Sequence, residues 1–365
     1  MNPIKLSFIL PLLLISQNSL QAESLKVKVP KSLCSDLDIR DTMKSDELKE
    51  HFTRPRSQGS SGWCYGFVAA DLLSVEAEVP LSSTHVSSIY NSAIFKEALE
   101  NEKGKFYIYK TYKRTSRKGS DPEFKKILSG GNIYWAVKDS VDKRYLCSEK
   151  DLPFDASGLE TTKSELINNL ENIKKLEWPS LPSKLGCERA KSIVEFLGVN
   201  ASVYEVWKLI LNNNVNISLE KLTSMSCKDP VKLDSSIEVK RLKIPKADSK
   251  KYARSSFGKR KLERDTKKII KAFKKIGYLL SHGRPVAVNY NANHISIVEG
   301  DHSSSITGRR WKNGRCEYKV RNSWGESCIE YNDSDITGCN REEGSFWVTD
   351  QKLYEMAQDI FYIDS

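Results

Sequence analysis

The chain has 365 residues, enough for one large or two ordinary domains with real cores, and its 39% hydrophobic and 29% charged residues exclude a disordered chain. Its formal net charge is +11, and much of the excess is local: Val239 to Lys275 holds 16 Lys or Arg against 3 Asp or Glu. Stacking aromatics are sparse there, only Tyr252, Phe257 and Phe273, so a specific nucleic-acid partner is excluded and a possible anionic surface is the partner expected of this run, which otherwise reads as a solvated helix face.

Residues 1–22 read as a secretory signal: Lys5, an apolar run from Phe8 to Ile15 too short to span a bilayer, then small residues ending at Ala22. A secreted or periplasmic protein is expected, with no transmembrane segment after signal removal. Residues 23–55 are polar and basic with few core signals and read as a lead-in. From Gly62 a helix begins, with Tyr65, Val68, Ala69, Leu72, Leu73 and Val75 on one stripe. Gly130-Gly131 breaks the chain before a second helical stretch, Ile133 to Val141. Residues 156–265 mix short helical patterns (Ser192 to Leu197, Val203 to Leu211) with charged connectors. Thr266 to Leu280 is an amphipathic helix with Ile269, Ile270, Phe273, Ile276 and Leu280 on its apolar side. Strands follow at Pro285 to Asn289, His294 to Glu299, Tyr318 to Arg321 and Ser345 to Val348. The pattern predicts an α+β protein of two lobes. Its regions are 56–155, helical and carrying a nucleophile; 156–265, an insertion-rich basic connector placed near or over the cleft; and 266–365, β-rich.

Eight cysteines are present, none in a CxxC pair, so no zinc or redox site is expected and no metal or cofactor is implied. Cys316, Cys328 and Cys339 are expected to contribute one local bridge. If Cys64 is a free thiol, at least one further cysteine is left without an internal partner. In Gln58-Gly-Ser-Ser-Gly-Trp-Cys64-Tyr-Gly-Phe67, Cys64 falls at a helix start, where backbone N–H groups and the dipole favour thiolate. Gln58 could share an oxyanion with the Cys64 N–H. A thiol needs a base, and the base an orienting acceptor. His294 heads an apolar stretch, and Asn322 follows another in Arg321-Asn-Ser-Trp-Gly325. His51, His85, His282 and His302 lack such contexts and read as surface or structural.

These blocks resemble the papain-like cysteine peptidase family, over about half of the mature chain. The resemblance implies a papain-like two-lobe fold, with a helical left domain, a β-barrel-like right domain and a cleft between them. It implies peptide-bond hydrolysis with Cys64 as nucleophile, His294 as base, Asn322 as orienting amide and Gln58 as oxyanion donor, resting as a thiolate–imidazolium pair. Trp324 would shield the His–Asn bond. Gly130 and Gly131 would hydrogen-bond an extended peptide, and Trp63 and Asn293 would line subsites. The substrate would be a peptide or protein and the enzyme a monomer. Ser61 stands where the family has a disulfide cysteine. Trp63 replaces a small residue, which leaves open an inactive binding protein on the same scaffold; a basic surface-attachment module is the other alternative.

Overall fold

The computed structural model describes residues 27–59, 61–100, 127–153, 160–175, 184–245, 256–297, 300–332, 334 and 336–364. The signal-like segment 1–22 lies outside them. The fold mixes helix and sheet. The helices are α1 (Asp46–Thr53), α2 (Cys64–Ala77), α3 (Ser83–Glu100), α4 (Ile133–Lys143), α5 (Glu160–Lys175), α6 (Lys184–Leu197), α7 (Val203–Asn212), α8 (Val215–Ser226), α9 (Ser256–Ser281) and α10 (Asp350–Met356). The strands are β1 (Leu37–Asp38), β2 (Tyr145–Leu146), β3 (Val231–Lys232), β4 (Val239–Lys243), β5 (Val286–Asn291), β6 (Asp301–Lys312), β7 (Arg315–Arg321), β8 (Gly338–Asn340), β9 (Ser345–Thr349) and β10 (Ala357–Ile363).

Two cores result. In the first, α2 through α8 pack around Tyr65, Phe67, Tyr90, Ile133 and Leu219, with Ala287 and Phe361 closing it from the sheet. Local chemistry sets the helix starts: Asn132 caps α4 through its side chain, and Ser202 with Glu205 forms a capping box on α7. Within 156–265, expected as an insertion near or over the cleft, helices α5 to α8 bury Leu170, Ile193, Ile210 and Leu219 in this helical core.

The second core lies between the sheet and α9, where Ile269, Phe273, Ile276 and Leu280 meet Val286, Val288, Tyr318 and Ile360. Strand order is β4-β10-β5-β6-β7-β9-β8, antiparallel throughout, with β1 added to the far end of β6. The sheet is open: β4 and β8 are its edges and no closure joins them among the described residues, so the barrel-like expectation is not met. The lead-in also departs from expectation. Leu48 and Phe52 are buried in the sheet core, and Cys34 is bonded to Cys316 on β7. Two further disulfides join Cys147 to Cys227 and Cys328 to Cys339, leaving Cys64 and Cys187 as thiols.

β6 and β7 form a hairpin through Asn313-Gly314, both at positive φ (51° and 76°), the two-residue turn whose twist matches the strands. The turn and a one-residue irregularity between Ile306 and Gly308 together set the register that pairs Ser305 with Arg321, and Asn322 leaves the end of β7 as β6 continues toward residue 301.

Candidate active site

Cys64 is the first residue of α2. Its relative exposure is 9%, and burial, the largest influence, pushes its thiol up. The N–H and hydroxyl of Ser303 and the N–H groups of Tyr65 and Cys64 pull the other way, as the start of a helix should. Trp63, expected at a subsite, is packed inward. It is 3% exposed, and its indole N–H donates to the Leu128 carbonyl (3.0 Å) inside the helical core. Gly131 abuts the next residue along: a Cβ there would come within 2.6 Å of the Tyr65 ring. Gly130, at φ +81°, faces open space and donates its N–H to the Gly62 carbonyl (3.0 Å).

The residue that meets Asn322 is His302, not His294. His302 Nε2 lies 2.6 Å from Asn322 Oδ1. The Ser323 N–H (2.8 Å) and Ser304 hydroxyl (3.1 Å) donate to the same oxygen. A backbone N–H can only donate, so the oxygen end of the amide is fixed there. His302 must then carry its proton on Nε2, which leaves Nδ1 as an acceptor. Asn322 Nδ2 is held by the Tyr331 hydroxyl at 2.6 Å. Trp324 packs on the imidazole (centroids 4.6 Å apart, planes at 36°) and stacks on Tyr331. Tyr290 meets the ring edge-on at 5.4 Å, and the Cys64 charge raises the Tyr290 phenol further. Thus Ser303, next in the chain to His302, hydrogen-bonds the thiol, and Tyr290, in contact with His302, feels its charge. Burial lowers His302 to about 4, with the Asn322 hydrogen bond opposing. Burial therefore favours a neutral thiol and a neutral imidazole at rest, not the ion pair expected from the family pattern.

His294 instead ends a 3-10 turn (Ala292–His294) and is exposed, its carbonyl accepting from Lys352 Nζ at 3.4 Å. The strand expected over 294–299 is not formed in its described part: Ser296 makes one bridge to Tyr331, Ile297 points to solvent, and residues 298–299 lie outside the described set. Asn293 is exposed, and its Oδ1 is taken by the Gly300 N–H (3.1 Å), so it braces this turn. The missed strand, β6, opens Asp301-His-Ser-Ser-Ser-Ile306, a run of small hydroxyl residues that resembles a loop in composition. The Asn-Gly turn was the available signal, because counting back along its arms brings the serine run beside His302 alongside Asn322.

Gln58 reaches the site along a short ladder: its N–H donates to the Ser323 carbonyl (2.8 Å), and Ser57 bridges Trp324. Its side-chain Oε1 accepts from the Ser323 hydroxyl (2.7 Å), so the donor end of the amide is its other, NH2 end.

Beneath the site, Asp71 on α2 is fully buried and accepts from Arg56 (2.6 Å), Arg321 (2.6 Å) and Ser305 (2.7 Å), with His51 Nε2 at 3.3 Å. Arg321 precedes Asn322 and also donates to the His51 carbonyl. One carboxylate thus ties the helix of Cys64 to both strands that carry the other groups. Opposing its burial, the two guanidinium groups hold it far below the usual carboxylate range.

The side-chain donors of His85, Cys147 and Cys227 also cluster, within 4.8 Å of one another. The two sulfurs are bonded to each other, so neither is a thiolate for metal or substrate.

No family model matches the chain. No curated protein matches it. Among solved structures it is similar to the Amb a 11 cysteine protease of ragweed pollen in its proform, at 12% identity over 92% of this chain and 66% of that one, TM-score 0.40. It is also similar to digestive procathepsin L 3 of Tenebrio molitor larval midgut (14%, 94% and 75%, TM-score 0.40). A third is the bromelain protease of Ananas comosus (12%, 92% and 99%, TM-score 0.37). These structural neighbours are papain-like cysteine proteases.

Proposed function

We propose that the chain is a papain-like cysteine peptidase in which Cys64 is the nucleophile, His302 its base, Asn322 the orienting amide and Gln58 the oxyanion donor. The observation that carries this is the fixed tautomer of His302: the Asn322 oxygen takes the Nε2 proton and leaves Nδ1 to accept one. The Cys64 S–H proton passes to His302 Nδ1 as sulfur bonds to the peptide carbonyl carbon. The displaced electron pair settles on oxygen, between the Gln58 NH2 group and the Cys64 N–H. Imidazolium then returns the proton to the leaving amine as the C–N bond breaks, giving a thioester. Water, deprotonated by the same nitrogen, releases the acid and restores the thiol. Trp324 covers the His302–Asn322 bond, and Gly130 and Gly131 offer backbone to an extended peptide. The substrate is a peptide or protein and the acting form a monomer. Three disulfides fit a secreted or periplasmic site of action. Among the described residues, no helix is long and apolar enough to cross a membrane.

The burial of Cys64 favours a second reading, a binding protein with a silent cleft. Turnover of a peptide library by the native chain, lost in Cys64→Ser, is the expected result. Alkylation confined to Cys64 without turnover would assign the binding role, and a Cys64 no more reactive than in denatured chain would end the enzymatic reading.

A further inference from the structure

The surface of α9 divides into three strips. At 100° per residue, Ile269, Phe273, Ile276 and Leu280 face the sheet core. Thr266 and Ile270 come next around the helix. With Val27, Val29 and Pro30 of the N-terminal segment, and Ile269 and Phe273 at its floor, they enclose a cavity of about 120 Å³. Ile270 remains 48% exposed at its mouth. Beyond Ile270 runs a row of exposed cations, Arg260, Arg264, Lys267, Lys271 and Lys274, spanning about 21 Å of helix. Among them only Lys267 has an acidic partner on α9, Glu263.

Lys28 and Leu33 complete the lining, and apart from the Lys28 cation and the Thr266 hydroxyl the side chains of the wall are hydrocarbon. The Thr266 hydroxyl is spent on the Leu262 carbonyl (2.8 Å). The N–H groups of Val27 and Val29 are taken by Gln351 and Asp350, the Val27 carbonyl by Arg315, and the Pro30 carbonyl by the Leu33 N–H. A peptide seated there would find these groups already taken, and each of its amides left unpaired would cost about 1–3 kcal/mol. A hydrocarbon chain has no such groups. An apolar slot bordered by an excess of positive charge matches one chemistry, a chain ending in an anionic head.

We infer that the groove between residues 27–30 and α9 binds a single-chain anionic amphiphile, its hydrocarbon in the cavity and its head on Lys267, Lys271 and Lys274. The site is separate from Cys64 and does not depend on the peptidase reading. The test is a fluorescence titration of the full chain with dansyl-labelled undecanoate, displaced by dodecanoate. Saturable binding weakened by salt is expected. Ile270→Asp, and separately Lys267→Glu with Lys271→Glu and Lys274→Glu, should each weaken it by about tenfold or more with the melting temperature unchanged. All of these substituted side chains are exposed, so the folded state survives the change. No saturable binding, binding unchanged in Ile270→Asp, equal displacement by neutral dodecanol, or equal displacement by an acidic peptide would each overturn the inference.

Discussion

The turn that carries His294 and the strand that carries His302 are neighbours in the chain and opposites in chemistry. The first contains the apolar letters Ile295 and Ile297, yet His294 is exposed and Ile297 points outward. The second is written in serines, yet from His302 to Arg309 it is buried. Its hydroxyls are engaged: Ser303 with Asn289, Ser304 with Asn322, Ser305 with Asp71. Polar side chains can line a core when each finds a partner, and a site that fixes an amide and an imidazole needs such partners. Hydropathy therefore pointed to His294, while the histidine beside Asn322 is His302, held there by the same polar partners that hide its strand from a hydropathy reading.

Exchanging the two histidines is the largest available test of that contrast. His302→Ala should lower kcat/KM for a cleaved peptide by about 10²–10⁴-fold, the usual worth of a positioned acid–base group. His294→Ala should leave it unchanged, since its ring lies outside the buried cluster. In His302→Ala the thiol keeps its burial and loses its base, so alkylation of Cys64 should keep rising with pH beyond the ordinary thiol range. A larger loss from His294→Ala than from His302→Ala would reverse the assignment.

Much of the rest was legible. The helix at Cys64, the α9 stripe and the strands around residues 286, 318 and 345 follow from apolar periodicity, which survives wherever a face packs on hydrocarbon. Asn322 and Gln58 were visible because their blocks are rich in unusual residues. The lead-in was misread for a physical reason: its hold on the body comes from Cys34, from backbone carbonyls that accept from Arg321 and Arg309, and from a few buried side chains such as Phe52, not from a repeating stripe. Asp71 left no signal at all. A lone carboxylate in an apolar helix becomes meaningful only when Arg56 and Arg321 are brought to it.

That carboxylate sets how β6 and β7 sit against α2, so it tests whether the His302 strand is placed by its polar partners. Asp71→Asn keeps the shape and removes the charge, leaving two guanidinium groups buried without compensation. Unfolding free energy should fall by about 3–5 kcal/mol in a denaturant titration. Peptide turnover in the fraction that remains folded should drop as well, because Arg321 loses the anchor next to Asn322. Unchanged stability would mean that the strands are held by apolar packing alone.

Acid should act through the three buried histidines by a smaller step per residue. Burial lowers His51, His85 and His302 to about 4 in the folded chain. In the unfolded chain each titrates near 6.5. Between these values the unfolded state takes up protons that the native state refuses, so stability is full above about pH 6.5 and declines as pH falls toward 4. The difference is worth about 3 kcal/mol per residue at the acid end of the window. Melting temperatures taken across that window should fall, and His51→Gln should flatten the decline while His282→Gln, at an exposed position, should not. His302→Asn should flatten the curve as well, because the Cys64–His302 pair holds one proton in the native chain whether it rests on sulfur or on nitrogen, against two in the unfolded chain at these pH values. Which atom holds it is read instead from the ultraviolet thiolate absorbance of the native chain against Cys64→Ser: none is expected for the neutral pair that burial favours, and a thiolate band would show that the neutral resting pair is wrong.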